Sequence, residues 1–228
     1  GTGAGGTVNA TIVFGSEVIA AGYFAVAGGQ LVNNIARWNG TAWQPLGLGT
    51  NDTIFALAIY NNMLVAGGRF TSAGGVNCNK IALWNGSSWS STNGIINGNV
   101  FALAVNGAYL AVGGNFTSIN GRAMLRVAKY QSNAWDTIGT GFNGDVYSLA
   151  LYNTGLYAGG NFTISDGLPV KRIARLVVNN WTAVGFGMDD GAVYCLRVFS
   201  NSLYIGGTFT TIGGSTTNRI ARWNGTSF

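Results

Sequence analysis

Hydrophobic positions in this chain alternate with small or polar residues in short runs, and the same run returns at a fixed interval. The stretch LVAGGRFT at 64–71 returns as LAVGGNFT at 110–117 and as LYAGGNFT at 156–163. No stretch shows the 3.6-residue period of an amphipathic helix. Alternation with period two predicts β-strands, and self-similarity at a fixed interval predicts a repeat architecture.

Three marker positions recur in five copies: a Phe that ends the Gly-Gly motif, an aliphatic-Ala pair, and a Trp. The phenylalanines are Phe24, Phe70, Phe116, Phe162 and Phe209, and the tryptophans are Trp43, Trp89, Trp135 and Trp181, with Phe228 in the fifth copy. One extra residue in the last step falls within 188–192. The repeats are therefore placed at 8–53, 54–99, 100–145, 146–192 and 193–228 plus 1–7, which makes 1–228 a single domain.

Each copy contains four short alternating runs separated by turn signals such as YNN, WNG and FNGD. Four strands per unit of about 45 residues is typical of a β-propeller blade. The fold class predicted is all-β: a five-bladed β-propeller with four antiparallel strands per blade. Gly1-Thr2-Gly3 aligns with Gly139-Thr140-Gly141, so we expect the N-terminal residues to lie beside the last strand and close the ring. The paired glycines are interpreted as sites of close approach between adjacent blades.

The amino-acid composition excludes some classes of function. Charged residues make up 8% of the chain, the net charge is +5, and glycine occurs 37 times. Twelve cations spread over 228 residues do not form the dense basic face of a nucleic-acid-binding protein. No apolar run approaches the length of a membrane span, so direct membrane insertion is not expected. Many Asn, Thr, Ser and Gly with few charges are typical of a secreted or cell-surface protein.

The unit VYSLALYNTGLYAGGNFTISDG followed by RIARLVVNNW resembles a kelch-like, galactose-oxidase-like propeller repeat. That repeat is found in large secreted and cell-surface proteins, among them bacterial surface proteins with sorting domains and fungal cortical marker proteins. The resemblance covers all five copies. Because both ends of the chain fall inside one predicted strand, we expect the chain to be a segment of a larger protein. The resemblance implies little about activity, because propellers host many functions.

The inventory of catalytic groups is small. The chain has no His, which removes Ser-His-Asp and Cys-His sites, the copper site of galactose oxidase and most transition-metal sites. The acids occupy unrelated positions in the repeat. Asp189-Asp190 is interpreted as a solvated turn, the alternative being a weak calcium site. We therefore predict no enzyme activity, no metal and no cofactor. Cys195 is predicted to be buried, Cys78 is the candidate for exposure, and no disulfide is expected to join them.

Four of the five residues that precede the aliphatic-Ala pair are cations. They are Lys80, Arg126, Arg172 and Arg219, with Asn34 in the first copy. One interpretation is a basic rim that attracts an anionic partner. The other is that these side chains cover the Trp of the next strand or donate hydrogen bonds to turn carbonyls.

Two further features are candidates for ligand contact. Arg197 stands on an inner strand where the other copies have Ile12, Ala58, Ala104 and Ala150, so it either faces the central channel or extends to solvent at the strand end. The residue between the Gly and the Phe varies most among the copies: Tyr23, Arg69, Asn115, Asn161 and Thr208.

The function expected from the sequence is a non-catalytic extracellular binding or structural module. Its partner would be a protein or glycan at the cell surface, or a neighbouring subunit of an assembly. The alternative is a lectin with repeated sugar sites between the blades.

Overall fold

A computed structural model describes residues 3–228; Gly1 and Thr2 lie outside the described residues. The described chain consists of 29 strands and their connections, with no helix. Five successive sheets follow the five sequence repeats, which confirms the predicted fold class, an all-β, five-bladed β-propeller. Among residues 3–228 there is no helix of the length and hydropathy needed to cross a membrane.

The contacts divide the chain into two compact units. The first comprises the residues up to Val100 together with Ile119–Gly121, and it carries the first two blades. The strands of these blades are β1 (Thr7–Phe14), β2 (Glu17–Tyr23), β3 (Val26–Ala27), β4 (Gln30–Leu31), β5 (Ile35–Trp38), β6 (Trp43–Pro45), β7 (Ile54–Tyr60), β8 (Met63–Gly68), β9 (Ser72–Ala73), β10 (Val76–Asn77), β11 (Ile81–Trp84) and β12 (Trp89–Ser91).

The second unit comprises Phe101–Ser118 and Arg122–Phe228, and it carries the other three blades. Their strands are β13 (Val100–Asn106), β14 (Tyr109–Gly114), β15 (Ser118–Ile119), β16 (Arg122–Ala123), β17 (Val127–Gln131), β18 (Ala134–Thr137), β19 (Val146–Tyr152), β20 (Gly155–Gly160), β21 (Ile164–Ser165), β22 (Leu168–Pro169), β23 (Ile173–Val177), β24 (Asn180–Ala183), β25 (Val193–Phe199), β26 (Ser202–Gly207), β27 (Thr211–Ile212), β28 (Ser215–Thr216) and β29 (Ile220–Trp223).

Every blade has the same antiparallel order. In the first blade the order is β1-β2-β5-β6, and the short hairpin β3-β4 forms a separate two-stranded sheet between the second and third blade strands. The other blades repeat this plan, except that the fifth sheet has three strands, β25-β26-β29, in the described part of the chain. The closure of a ring by residues 1–7 stays a prediction.

The second glycine of each Gly-Gly motif is required by its own blade. A Cβ on Gly160 would collide with the carbonyl oxygen of Asp145, which precedes the inner strand, and would lie 2.8 Å from Cδ1 of Phe162. Gly22, Gly68 and Gly207 face the carbonyl oxygens of Thr7, Thr53 and Ala192 in the same way. The cause of these glycines is therefore the backbone of the inner strand, whereas the sequence suggested the neighbouring blade.

The first glycine of the motif makes the close approach between blades that the sequence predicted. A Cβ on Gly113 would lie 2.6 Å from Cγ1 of Val146, the first residue of the next blade's inner strand. Ala21 takes this place in the first blade and is fully buried. A side chain can move where a backbone carbonyl cannot, which explains why the first glycine is replaceable and the second recurs in all five copies.

The cores lie between successive blades within each unit. All five marker phenylalanines are at most 4% exposed, and the aliphatic-Ala pairs of the first four blades are buried as well. In the fifth blade Ile220 is 63% exposed, whereas Ile173 at the same position of the fourth blade packs in one cluster with Val193 and Leu196 of the fifth. Burial on both faces explains why the second strand of each blade is continuously apolar rather than alternating.

The marker tryptophans connect each blade to the preceding one. The indole Nε1–H of Trp181 donates to the carbonyl oxygen of Ile138 at 3.1 Å, and that of Trp89 donates to Leu46 at 3.0 Å. Both rings are buried, and Trp89 also contacts Trp84, its partner across the strand pair, at a centroid distance of 5.3 Å. Trp89 and Trp181 therefore fill the space between two blades, and each donates to a backbone carbonyl there.

The solvent exposure of the two cysteines differs from the prediction. Cys78 is fully buried and Cys195 is exposed, the reverse of the expectation. Cys78 occupies the repeat position of Val32 and Val170, which anchor the same loop in the core, so the repeat alignment already contained this signal. Cys195 lies next to buried Leu196 on β25, and its own side faces solvent. Both thiols are free, as predicted, and burial raises the pKa of Cys78.

Replacing Trp181 with Phe should lower the free energy of unfolding by about 1–3 kcal/mol, because the buried carbonyl of Ile138 loses its donor. Trp43 is the matched control. It is half-buried at the same repeat position in the first blade, and its indole nitrogen has no hydrogen bond to a described residue. Urea unfolding of both variants measures the difference, and equal losses for Trp181→Phe and Trp43→Phe would contradict the proposed role of this hydrogen bond.

Candidate binding surface

The five residues of the basic series occupy one strained backbone position. Each has a positive φ, with values of 69°, 77°, 65°, 69° and 62° for Asn34, Lys80, Arg126, Arg172 and Arg219. The carbonyl of each accepts a hydrogen bond from the second glycine of its own blade, as between Gly160 and Arg172 at 3.0 Å. The left-handed conformation thus turns the chain back onto the second strand before the third begins.

Side chains at this position reach the segment that leads into the next blade. Nη1 of Arg172 donates to the carbonyl of Met188 at 2.7 Å, and its Nε donates to Gly191 at 2.6 Å. Asn34 donates to Thr50, and Arg126 donates to Phe142, each 16 residues further along the chain. In these three copies the structure therefore matches the interpretation of hydrogen bonds to turn carbonyls.

The other two members of the series differ. Nζ of Lys80 donates to the carbonyl of Arg69 in its own blade at 2.9 Å. Arg219, in the fifth blade, is exposed, and its side chain forms no hydrogen bond or ion pair within residues 3–228. The side-chain contacts of the series thus differ between the blades, and a basic rim that attracts an anionic partner stays a prediction.

The variable position after the second glycine lies at the end of the second strand, beside the start of the inner strand. Its backbone N–H donates to the carbonyl oxygen that abuts the glycine, as Arg69 does to Thr53 and Asn161 to Asp145. The side chains differ in their surroundings. Arg69 pairs with Asp52 at 2.9 Å, Asn115 is half-buried, and the Thr208 hydroxyl accepts from the N–H of Ala192.

Tyr23 and Asn161 have the most ligand-like surroundings of this variable set. Tyr23 is 62% exposed and lines an open cavity of about 430 Å³ with Gly5, Gly6 and Asn33 in the first unit. Asn161 is exposed, accepts from the N–H of Asp145 at 2.6 Å, and donates to the hydroxyl of Tyr147 at 3.0 Å. Both lie at the end of the blade where the inner strand begins.

Arg197 lies on β25 opposite Tyr204, and it lines an open cavity of about 300 Å³. The other lining residues are apolar and come from the three inner strands of the second unit: Ala104, Val105, Leu149, Ala150, Leu151, Leu196 and Val198. Arg197 forms no hydrogen bond or ion pair with the described residues, and its side chain is exposed. Its role as a ligand contact stays a prediction.

A row of aromatic rings is the feature that the sequence analysis did not identify. Phe101, Tyr147 and Tyr194 occupy one repeat position, the second residue of the inner strand, in three successive blades. Their ring centroids are 5.8 Å and 5.1 Å apart. Tyr194 is 53% exposed and the other two are half-buried. The repeat alignment carries the signal, since an aromatic stands at this position in four of the five copies, Phe55 being the fourth.

A β-bulge positions these side chains. The pairing of β19 with β20 shifts register between Val146 and Ser148, and that of β25 with β26 shifts between Val193 and Cys195. Tyr147 and Tyr194 are the residues left out of the ladder, which re-aims their side chains. The same bulge in the first blade carries Asn9, so the bulge itself does not require an aromatic.

The inserted residue of the last repeat lies in an acidic turn. The N–H of Asp189 donates to the carbonyl of Thr211, while the carboxylate of Asp190 accepts from the N–H groups of Thr210 and Thr211 and from the hydroxyl of Thr210. In the preceding blade a single residue, Asn143, forms both sets of hydrogen bonds. Its N–H donates to the carbonyl of Ile164, and its side-chain oxygen accepts from the N–H groups of Thr163 and Ile164. The hydroxyl and N–H of Thr210 hold the pKa of Asp190 at about 2. Asp189 pairs with Lys171 at 2.9 Å.

The described residues contain no group of three or more His, Cys, Asp or Glu side chains that could hold a metal ion.

Replacing Arg172 with Ala should cost about 1–3 kcal/mol of unfolding free energy, because two carbonyl oxygens lose a charged donor. Arg219→Ala is the matched control. Arg219 has nearly the same φ of 62°, so the backbone strain of an alanine is common to both variants. Chemical denaturation should show the larger loss for Arg172→Ala. A larger loss for Arg219→Ala would show that these side-chain hydrogen bonds do not stabilise the blades.

Asp190 should make stability depend on pH in the acid range. Its pKa is lowered in the folded protein from 3.8 to about 2, so its contribution is complete above pH 3.8 and is lost as the pH falls through about 2. Asp190→Asn keeps the acceptor oxygen that Asn143 uses and cannot titrate. The slope of the melting temperature against pH between about 4 and 2 should therefore be smaller in the variant. If the slope of the melting temperature against pH is the same in Asp190→Asn, then Asp190 does not cause the pH dependence of stability.

Family comparisons place this chain among propeller sequences. The model of the Rax2 C-terminal beta propeller domain matches residues 30–135, and the model of a beta-propeller domain of unknown function, DUF5122, matches residues 200–225. A comparison with curated proteins gives no match. The kelch-like or galactose-oxidase-like type is not among these families.

Solved structures share the fold at low sequence identity. The extracellular domain of the putative hybrid two-component system BT4673 from B. thetaiotaomicron has a TM-score of 0.58 at 16% identity, covering 88% of this chain and 25% of that one. The GH74 enzyme of Niastella koreensis has 0.56 at 16%, covering 91% and 34%. The computationally designed protein Ika8 has 0.51 at 15%, covering 98% and 59%. The chain thus spans less than two thirds of each structure, and the likeness is one of β-propeller fold.

Proposed function

We propose that this chain is a non-catalytic binding module of an extracellular or cell-surface protein. The observation that carries the proposal is the placement of exposed aromatic side chains, in both units, at the end of the blade where the inner strand begins. In the first unit the exposed aromatic side chain is Tyr23, which lines an open cavity. In the second unit it is Tyr194, the last ring of the aromatic row. Exposed aromatic rings beside amide and hydroxyl groups are typical of binding surfaces.

The distribution of constant and variable positions supports this proposal. The second glycine, the Phe and the Trp are taken up by contacts within and between blades. The position after the second glycine carries unlike side chains on a constant backbone, as Tyr23 and Asn161 illustrate. A surface that varies on a fixed scaffold suits recognition, and the scarcity of paired carboxylates and the absence of His favour binding over catalysis.

Two comparisons support the location. The Rax2 propeller family matches part of the chain, and one similar solved structure is an extracellular domain. Few charges and many Asn, Thr, Ser and Gly agree with the same environment.

Site-specific photocrosslinking tests the proposal in the full-length protein at its native surface. A benzophenone side chain would replace Tyr23, Tyr194 or, as the control, Val178, which is 97% exposed in the turn between β23 and β24. Irradiation should give covalent adducts from the Tyr23 and Tyr194 positions and none from Val178. Equal adducts at all three positions, or none at any, would contradict a binding surface at this end of the blades.

A further inference from the structure

We propose that the folded protein carries N-linked glycans at one end of its blades, on Asn39, Asn85, Asn180 and Asn224. The acceptor triplet for this modification is Asn-X-Ser or Asn-X-Thr, where X is any residue but Pro. Eight such triplets occur in the chain, and four of them lie at the turn that follows the third strand of a blade. The inference goes beyond the binding function and rests only on the extracellular location proposed above.

The turns of the first two blades hold the asparagine amide in one orientation. Oδ1 of Asn39 accepts from the N–H groups of Thr41 and Ala42 at 3.0 Å and 2.9 Å, and from the Thr41 hydroxyl at 2.8 Å. Asn85 forms the same set of bonds in the second blade. Because N–H donors fix the oxygen side of the planar amide, Nδ2 points away from the turn. Both asparagines are exposed, and neither Nδ2 donates to a described residue.

The turns of the last two blades also leave the asparagine amide accessible. Asn180 begins β24 beside a turn in which Val178 is 97% exposed, and its side chain forms no hydrogen bond with the described residues. Oδ1 of Asn224 accepts from the N–H groups of Thr226 and Ser227. Its Nδ2 donates only to the hydroxyl of Ser227, at 3.3 Å. All four side chains are exposed, so a bulky glycan on any of them extends into solvent.

The other four triplets lie near the start of the inner strand, and their amides take part in the fold. They belong to Asn9, Asn51, Asn115 and Asn161. Nδ2 of Asn9 donates to the carbonyl of Ile54 at 2.8 Å. Nδ2 of Asn51 and that of Asn161 donate to side-chain hydroxyls at 2.9 Å and 3.0 Å, and Asn115 is half-buried. A sugar on Nδ2 would displace these contacts, so we expect the folded protein to carry no glycan at this end.

The two sets of triplets lie at opposite ends of a blade. In the first blade Asn39 directly follows Trp38, which pairs with Val18 near the beginning of β2. Tyr23 lies at the end of the same strand and pairs with Thr7. Glycans at the turn would therefore leave the exposed aromatic side chains of the proposed binding surface uncovered.

The composition of the surface gives the glycans a physical role. Charged residues make up 8% of the chain, against about 25% in an average globular protein. Large apolar side chains are exposed at the same end as the turns, among them Val13 at 59% and Phe199 at 67%. Hydrated glycans would cover this end and keep it soluble without additional charge.

The modification requires a lipid-linked glycosyl pyrophosphate as donor and a transferase of the secretory pathway. Nδ2 of the asparagine forms a bond to the anomeric carbon of the sugar. The bond between that carbon and the pyrophosphate oxygen breaks, and the lipid pyrophosphate leaves with the electron pair. The amide gives up one proton to a base of the transferase.

Peptide mapping of the full-length protein, isolated from its native cell surface, tests the inference. Peptide N-glycosidase in heavy-oxygen water converts each glycan-bearing Asn into an isotope-labelled Asp, which mass spectrometry locates. We expect label at the four turn asparagines and at none of the other four. Asn133 is the internal control, because it occupies the same turn of the third blade and Trp135 stands where the triplet needs Ser or Thr. A parallel digest without the glycosidase corrects for spontaneous deamidation at the Asn-Gly pairs.

Two substitutions at one turn test the acceptor triplet itself. Thr41→Ser keeps the triplet, and the label on Asn39 should persist. Thr41→Ala destroys the triplet, and this label should be lost while that on Asn85 remains. Loss of the label in both variants, or in neither, would contradict modification through this triplet.

Label confined to the turn asparagines supports the inference. No label at any of them, or label at any of Asn9, Asn51, Asn115 and Asn161, would overturn it. Protease treatment of intact cells separates this failure from that of the proposed location. A chain that is digested from outside the cell and carries no label refutes the glycans alone. A chain that is protected from the protease refutes the extracellular location as well.

Discussion

The arrangement of each blade depends on one contact, that of a backbone carbonyl against a glycine. The carbonyl before the inner strand lies against the second glycine of the Gly-Gly motif, where Gly160 meets Asp145. The glycine N–H binds the carbonyl of the positive-φ residue, Arg172, and the following N–H, that of Asn161, binds the abutting carbonyl. Three segments of the blade therefore converge on a position that has no room for a Cβ. The bulge, the variable side chain and the turn to the third strand all take their places from this junction.

The same junction relates scaffold to surface. Because the positive-φ residue lies within reach of the next connecting segment, Arg172 stabilises the link to the following blade through Met188 and Gly191. Because the bulged residue lies outside the ladder, Tyr194 can vary without affecting the strand pairing. A propeller of this type can thus change its inner-strand surface while the contacts that hold the blades remain constant.

Most of the fold could be predicted from the repeat, and the site only in part. The interval fixed the number of blades and the strands, since Phe162 and Trp181 return with a spacing that only a stacked unit explains. The sequence does not reveal why glycine is required at each of the two positions of the Gly-Gly motif. A Cβ that would clash with a backbone carbonyl and a Cβ that would clash with a neighbouring side chain both favour glycine. The expected exposure of Cys78 was wrong, because its repeat position is that of buried Val170, which anchors the same loop in the core. The aromatic row escaped notice because Tyr147 and Tyr194 read as ordinary strand residues until the bulge turned them outward.

The most direct test of this account compares two alanine substitutions in adjacent blades. Gly160→Ala places a methyl group against the carbonyl of Asp145, while Gly206→Ala places one 3.8 Å from Cβ of Cys195, an ordinary contact. Urea unfolding of both variants should show a loss for Gly160→Ala of about 1–3 kcal/mol or more, and a change for Gly206→Ala within about 1 kcal/mol of zero. Comparable losses at both positions would contradict the claim that the carbonyl contact at the second glycine organises the blade.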